Sequence, residues 1–311
     1  KSLPLSATGK VDRRALPAPG LDQLAPAADH VEPRTPAEDA LARVWGEVLG
    51  LDRVGVDDNF FELGGDSILS IQVVARAARA GLRLTPRLVF QHQTVAELAA
   101  AAEAARPAHA EQGPVVGNAP LTPVQHWFFE ADPPEPHHFA QSLLFLVHRA
   151  IDLELLNRAV AAVIDHHDAL RLRFSREGAR WSQTLGEPCG AQEAVLIDLS
   201  AVPTESQPRA MAEAGLAVQS GFDLASGPLL RAALFHLGGA EPYRLLLAAH
   251  HLAVDGVSWR ILLEDLLTAY RLLERGLPPQ LPPKTTSWRH WATRLANYAA
   301  SEALLADRDY W

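Results

Sequence analysis

The sequence predicts a multidomain protein in which a small all-α bundle precedes a larger α/β unit. Its 311 residues are 48% hydrophobic, so the chain can bury more than one core. Apolar residues recur at helical spacing over residues 35–105, whereas apolar strands and amphipathic helices are mixed from about residue 118 onward. Stretches rich in Pro, Ala and Gly flank the first pattern. We therefore expect linkers at residues 17–30 and 106–117.

The bundle is predicted from helix-start signals. Thr35 and Glu38 have the spacing of a capping box, and an apolar helical face follows them. A second helix is predicted to begin at Ser67. A third is predicted to begin at Thr94 and to continue through an alanine-rich stretch to residue 106.

The larger unit alternates between strand and helix patterns. The predicted strands are 142–148, 170–175, 229–237 and 243–249, and the predicted helices are 153–169, 205–219, 260–275 and an amphipathic helix after Trp288. The elements do not follow a strict βαβ order. We therefore expect an α/β or α+β fold with a large sheet.

Composition and charge argue against several classes of function. The 37 acidic residues outnumber the 28 basic ones, for a formal net charge of −9, whereas nucleic-acid binding needs a concentrated basic face. The N-terminus has no apolar run for a signal peptide or a membrane span, and the chain reads as an excerpt of a longer polypeptide. The single cysteine, Cys189, excludes an internal disulfide and a thiolate zinc site. We expect a cytoplasmic protein that binds neither nucleic acid nor a membrane.

A glycine pair delivers a serine to the start of the second helix. Residues 58–68 read DNFFELGGDSI, and Gly64 and Gly65 let the chain turn tightly before Ser67. A helix N-terminus favours negative charge, such as a phosphodiester on the serine oxygen. These residues alone favour a simpler interpretation, in which Ser67 is only an N-cap and Asp66 complements the helix dipole.

This segment resembles the phosphopantetheine attachment motif of peptidyl carrier, or thiolation, domains. The resemblance covers residues 31–105 and implies a four-helix carrier bundle. It also implies that a phosphopantetheinyl transferase attaches 4′-phosphopantetheine from coenzyme A to Ser67, where the thiol holds an aminoacyl or peptidyl thioester. Asp66 before the serine is typical of carriers that serve epimerization domains.

The N-terminal residues 3–16 read LPLSATGKVDRRAL and resemble the closing motif of adenylation domains. By this resemblance, residues 1–16 are the tail of an upstream adenylation domain in the same polypeptide. Lys10 matches that family's lysine, which reaches carboxylate and phosphate oxygens. Without the rest of its domain, we expect Lys10 to be inert.

Two adjacent histidines, His250 and His251, follow an apolar strand. Neighbouring strand residues point to opposite faces, so only one of the two can enter a given cavity. Histidine is readily poised as a base near neutral pH, and Asp255 can fix the backbone or form an ion pair. The residues alone leave open a structural pair, an acid–base centre, and a metal site, for which the spacing is poor.

The sequence after residue 118 resembles epimerization domains, which belong to the condensation-domain superfamily. The blocks that carry the resemblance are PLTPVQHWFF at 120–129, HHDALRLRF at 166–174, FDL at 222–224, GPLLR at 227–231, HHLAVDGVSW at 250–259 and TTSW at 285–288. The resemblance implies that residues 118–311 form a chloramphenicol-acetyltransferase-like α/β lobe, the N-terminal half of a two-lobed fold.

The same resemblance assigns roles to the motif. It implies that His251 is the acid–base residue at the substrate α-carbon, that His250 and Asp255 support the structure, and that no metal takes part. The family's buried aspartate–arginine pairing further leads us to hypothesise an ion pair between Asp255 and either Arg171 or Arg173.

Together these resemblances predict part of an epimerizing module of a nonribosomal peptide synthetase. The carrier would present its thioester to an epimerase, and a downstream condensation domain would use the product. One alternative is a condensation domain, in which His251 assists amide formation. Another is a non-catalytic carrier fragment, because the family's partner glutamate comes from the C-terminal lobe and no matching motif occurs here.

Overall fold

The computed structural model describes residues 31–104, 110–178, 180–188, 190, 194–239, 243–306, 308 and 310. The described residues form two compact units, which divide between residues 108 and 109. Lys10, Cys189, the predicted linker at 17–30 and residues 106–109 of the second predicted linker lie outside these ranges. The finer domain boundaries therefore stay predictions.

Residues 31–104 form the all-α bundle. Its four helices within this range are α1 (Pro36–Leu49), α2 (Ser67–Arg79), α3 (Pro86–Gln91) and α4 (Val95–Ala101). The predicted capping box is confirmed, since Thr35 accepts the amide of Glu38 and the Glu38 carboxylate accepts the amide of Thr35. Helix α4 is shorter than predicted, because the chain leaves it at Ala102 to pair strands β1 (Leu82–Arg83) and β2 (Glu103–Ala104).

The bundle core is built around two fully buried aromatic side chains. Trp45 of α1 and Phe60 of the loop before α2 have ring centroids 5.0 Å apart. Phe60 also contacts Phe61, whose ring packs in turn against Phe90 of α3. This aromatic row ties the loop that precedes Ser67 to the bundle.

The second unit contains a four-stranded sheet in the order β4-β9-β8-β7. Its strands are β4 (Ala140–Val147), β7 (Val195–Asp198), β8 (Leu230–His236) and β9 (Tyr243–His250). Helices α6 (Leu153–His166) and α8 (Ser258–Glu274) cover one face, and α7 (Gln207–Ser220) covers the other. Strand β7 pairs in parallel with β8, whereas the other neighbours are antiparallel.

A second, three-stranded sheet has the order β3-β6-β5. Its strands are β3 (Gly117–Ala119), β5 (Leu172–Glu177) and β6 (Arg180–Leu185), and Phe128 and Phe129 of helix α5 (Pro123–Glu130) pack into the same core. Helix α9 (Trp288–Ala299) lies where the sequence predicts an amphipathic helix, and α10 (Glu302–Ala306) comes after it. The strand predicted at 170–175 therefore lies in this three-stranded sheet as β5, whereas the strands predicted at 142–148, 229–237 and 243–249 lie in the four-stranded sheet.

Among the described residues, no helix combines the length and the apolar content needed to cross a membrane.

Candidate functional site

Ser67 lies at the first position of α2, and its side chain is exposed. Asp66 is the N-cap: its Oδ1 accepts the amides of Ile68 at 2.8 Å and Leu69 at 2.7 Å. The open interpretation of Ser67 as an N-cap is therefore wrong. The Asp66 carboxylate thus provides a partner for two of the amides that the first turn of α2 leaves without one inside the helix.

The two glycines before Ser67 serve different physical needs. Gly64 has φ 97°, a conformation that side chains other than glycine adopt at a cost. A Cβ at Gly65 would lie 2.5 Å from ring atoms of Phe60 and 2.6 Å from its carbonyl oxygen. The chain can therefore present Ser67 beside the aromatic row only because position 65 has no side chain.

The alternation of side chains along β9 places His250 and His251 on opposite faces of the sheet. Leu245, Leu247 and Ala249 of β9 face α6 and α8, whereas Leu246 and Ala248 face α7. By the same alternation, His250 falls on the α7 side and His251 on the α8 side. The expectation that only one of the two can enter a given cavity agrees with this arrangement.

His250 is fully buried among aromatic rings. The rings of Phe128, Phe139 and Phe222 approach it edge-on, with centroids 5.9–6.2 Å away. Its Nε2 donates to the carbonyl oxygen of Pro136 at 2.9 Å. Burial lowers the pKa of His250 to about 4, so the ring is neutral at pH 7. This environment is that of a structural histidine.

His251 is half-buried and held on both sides of its ring. Its Nδ1 lies 2.7 Å from the carbonyl oxygen of Val254, which can only accept, so Nδ1 carries the proton. The ring stacks on Phe139, with centroids 4.9 Å apart and an interplanar angle of 23°. The remaining nitrogen, Nε2, therefore carries the lone pair that a base requires.

Two polar side chains beside His251 were not predicted from the sequence. The amide nitrogen of Gln141 lies 3.1 Å from His251 Nε2, and the indole nitrogen of Trp259 donates to Gln141 Oε1 at 2.9 Å. Trp259 falls within the quoted motif, but Gln141 lies 110 residues earlier in the chain. The sequence signal that could have indicated Gln141 is the position of a polar side chain near the start of an apolar strand.

Asp255 has a different set of partners from the one hypothesised. Its Oδ1 accepts the amide of Val257 and both the amide and the hydroxyl of Ser258, at 2.6–3.1 Å. Burial raises the pKa of Asp255, but these hydrogen bonds from Ser258 and Val257 outweigh burial and leave the pKa below its usual value. Asp255 thus fixes the turn that leads into α8.

Arg171 is buried and already paired with another carboxylate. It lies 3.0 Å from Asp168, which also binds Lys284 at 3.1 Å. Its other donors reach the carbonyl oxygens of Val115, Ile164, Asp165 and Gly186. Among the described residues no ion pair joins Asp255 to Arg171 or Arg173, so the hypothesised pairing is wrong.

One group of potential metal ligands lies away from the tandem histidine. His166, His167 and Asp265 bring ligand atoms within 4.8 Å of one another. His167 Nε2 already contacts Asp265 Oδ2 at 2.7 Å, which is the distance of a charge-assisted hydrogen bond. Burial lowers the pKa of His166, with a further contribution from the charge of His167.

Comparison with known protein families divides the chain in the same two parts. Residues 39–102 match the phosphopantetheine attachment site family, and residues 115–311 match the condensation domain family. One of the proteins that make up the linear gramicidin synthase of Brevibacillus parabrevis is 50% identical over 316 residues, which cover 100% of this chain and 6% of that protein. Surfactin synthase subunit 1 of Bacillus subtilis is 43% identical over 313 residues, covering 99% and 8%. The chain thus spans a small part of these relatives.

Solved structures add a comparison at the level of the fold. The epimerization domain from the third module of tyrocidine synthetase B is 37% identical, with a TM-score of 0.60 over 65% of this chain and 45% of that one. The starter condensation domain of rhizomide synthetase is 23% identical, with a TM-score of 0.51 over 62% and 47%, and it shares the fold. The carrier match identifies covalently attached 4′-phosphopantetheine as the cofactor. The chain belongs to the condensation-domain family of nonribosomal peptide synthetases, with a phosphopantetheine carrier domain ahead of its condensation-type domain.

Proposed function

We propose that Ser67 is the attachment site of 4′-phosphopantetheine and that the condensation-type domain inverts the α-carbon of the thioester it receives, with His251 as acid–base residue. The observation that carries the catalytic part is the 2.7 Å contact between His251 Nδ1 and the Val254 carbonyl oxygen. It fixes the proton on Nδ1 and leaves Nε2 able to accept one.

The surroundings of Ser67 fit a bulky, tethered cofactor. The hydroxyl is exposed, whereas the neighbouring Ser70 is fully buried and hydrogen-bonded to the Ser67 carbonyl oxygen. A transferase can therefore reach only the first of these two serines without unfolding α2. When bound, the cofactor supplies a thiol that holds the substrate as a thioester. The thioester makes the α-proton of the substrate more acidic, and the tether raises the effective concentration of the substrate at the active site.

The proposed chemistry uses two acid–base groups. His251 Nε2 takes the α-proton of the thioester and becomes imidazolium, and a second acid returns a proton to the opposite face of the α-carbon. By family resemblance, a glutamate from the other lobe of the domain is that second acid. Hydrogen bonds must stabilise the negative charge that develops on the thioester oxygen between the two transfers.

Epimerization is preferred to condensation because of the comparisons and the carrier motif. The identity to an epimerization domain is 37%, against 23% to a starter condensation domain. Asp66, immediately before Ser67, supports the same choice by family resemblance. The adenylation domain upstream, the transferase and a condensation domain downstream are the partners that this function requires.

Deuterium exchange at the α-carbon tests the proposal on the synthetase polypeptide that contains this chain. Ser67 is loaded by a phosphopantetheinyl transferase from L-alanyl- or L-phenylalanyl-coenzyme A in deuterium oxide, and the released amino acid is analysed by mass spectrometry and chiral chromatography. We expect deuterium incorporation and a mixture of L and D forms. His251→Asn should slow the exchange by roughly 100-fold or more.

The matched control is His126→Asn, because His126 is exposed on α5 and the same substitution there should leave the exchange rate unchanged. Exchange at the wild-type rate in the His251→Asn variant would contradict the proposed role of His251. Amide formation without α-exchange, in the presence of a second loaded carrier, would favour the condensation alternative.

A further inference from the structure

Three side chains from three parts of the fold form one hydrogen-bond chain that ends on a backbone carbonyl. Trp259 Nε1 donates to Gln141 Oε1 at 2.9 Å, and Gln141 Nε2 lies 3.1 Å from His251 Nε2. His251 Nδ1 completes the chain at the Val254 carbonyl oxygen. We propose that Gln141 and Trp259 are positioning residues that keep the lone pair of His251 on Nε2 and aim it; this inference rests on the proposed function of His251.

The two ends of the chain fix its direction. An indole N–H can only donate and a carbonyl oxygen can only accept. Gln141 must therefore present its oxygen to Trp259 and its N–H to His251 Nε2, which leaves Nε2 as an acceptor. The two hydrogen bonds on His251 thus agree on one tautomer, and that tautomer is the one a base acting through Nε2 needs.

A wrong arrangement at any link would leave a polar group without a partner. A proton on His251 Nε2 would point at the N–H of Gln141, and two donors would face each other. Only a rotation of the Gln141 amide that exchanges its oxygen and nitrogen would relieve this. A turned amide would in turn place its N–H₂ group against the indole N–H of Trp259, which is 6% exposed and cannot turn to water. A buried donor without an acceptor is destabilising, so the indole stabilises this orientation of the amide.

Rigid elements hold all three side chains. Gln141 lies on β4 directly opposite Ala249 of β9, two residues before His251. The backbone amide of His251 donates to the carbonyl oxygen of Phe139 at 2.7 Å, which extends the pairing of the two strands. Trp259 lies in the first turn of α8, on the face that packs against this sheet. Substrate has to displace the Gln141 amide from Nε2 and meets a nitrogen that is already aimed.

The hydrogen-bond chain can be tested by NMR without any turnover. In the chain labelled with ¹⁵N in glutamine and histidine, we expect a scalar coupling across the N–H···N bond from Gln141 to His251 and a proton on His251 Nδ1. Trp259→Phe should abolish the coupling, because the amide loses the donor that orients it. Gln141→Glu should place a proton on Nε2, because a carboxylate can only accept there.

Trp288→Phe is the matched control, because the buried indole nitrogen of Trp288 has no hydrogen-bond partner among the described residues. That variant should keep the coupling. A wild-type chain with the proton on Nε2, or an unchanged coupling in Trp259→Phe, would overturn the inference. Both readouts concern ground-state hydrogen bonds, so they stay decisive even if α-exchange is never observed.

Exchange kinetics then test the positioning role itself. In the loaded synthetase polypeptide, Gln141→Ala and Trp259→Phe should each lower the first-order rate of α-exchange by roughly tenfold or more. In both variants the lone pair of His251 Nε2 is no longer held in the orientation that proton transfer from the α-carbon requires. Trp288→Phe should not lower the rate. A faster rate in Gln141→Ala would overturn the inference, since it would mean that the amide only blocks Nε2. Intact NMR signatures with no exchange in any variant would instead contradict the proposed function.

Discussion

His251 Nδ1 donates to the carbonyl oxygen of Val254 at 2.7 Å, three residues further along the chain. In the neighbouring His250 the same ring nitrogen is an acceptor instead of a donor, since the amide of Leu252 donates to His250 Nδ1 at 3.2 Å. Adjacent histidines therefore hold opposite tautomers. His250 is hydrogen-bonded to the backbone through both ring nitrogens as a neutral structural ring, whereas the Nε2 lone pair of His251 faces the side-chain amide of Gln141.

We predict that His250 stays neutral far below the usual range of histidine. Burial lowers its pKa from 6.5 to about 4. Because the unfolded chain binds a proton near pH 6.5 and the folded chain does not, the stabilising effect is complete above pH 6.5. It is lost as the pH falls towards 4, by on the order of 3 kcal/mol in total. A ¹⁵N-histidine NMR titration checks this, and a half-point near 6.5 for His250 would contradict it.

Burial also lowers the pKa of His166, so a second group should make the second unit less stable as the pH falls below the ordinary histidine range. Replacing His250 by Asn separates the two contributions. The dependence of unfolding free energy on pH between 6.5 and 4 should become shallower in this variant but should not vanish.

We predict that Ser67 alone accepts phosphopantetheine within α2. Incubation of the chain with coenzyme A and a phosphopantetheinyl transferase should add the mass of one phosphopantetheine group, as measured by intact-protein mass spectrometry. Ser67→Ala should gain nothing. Ser70→Ala, which removes a buried hydroxyl three residues away, should still be modified. A mass gain in Ser67→Ala would refute the assignment.

Gly65→Ala should destabilise the first unit and slow its modification. The added methyl would meet the ring and carbonyl oxygen of Phe60 at 2.5–2.6 Å, and overpacking of this kind costs about 1–3 kcal/mol. Hydrogen–deuterium exchange of peptides from α1 and α2 in the intact chain measures the loss. Gly113→Ala is the control, since a Cβ there meets nothing within 4 Å. Unchanged protection in Gly65→Ala would contradict the predicted clash.

Asp255→Ala should cost about 1 kcal/mol, because the turn before α8 loses the acceptor of its Val257 and Ser258 amides. Asp255→Asn should cost less, since its side-chain oxygen can still accept. Urea denaturation of both variants measures the difference. In a double-mutant cycle, Asp255→Ala and Arg173→Ala should be additive. A coupling of several tenths of a kcal/mol or more would restore the ion pair that the structure contradicts.

Much of the fold could be predicted from local chemistry. The capping box of Thr35 and Glu38 marked the start of α1, and the apolar run from Tyr243 marked β9, because these signals depend on neighbours within a few residues. The helix-start signals did not predict the short helix α3 or the early end of α4, although the resemblance to carrier domains implied four helices. In α4, pairing between β1 and β2 overrides the helix propensity of an alanine-rich segment.

The two candidate sites also differ in how far they depend on residues that are distant in the sequence. The sequence by itself was enough to predict Ser67 as the attachment site, because its motif, its glycine turn and its helix lie within a dozen residues and need no distant partner. It also determined the family, and it predicted a role for the tandem histidine. Only the tertiary structure decided the hydrogen-bond partners of His251, because Gln141 reaches it across the pairing of β4 with β9 and Trp259 reaches Gln141 from α8. A histidine's tautomer is set by its hydrogen-bond partners, and here those partners are brought together by folding.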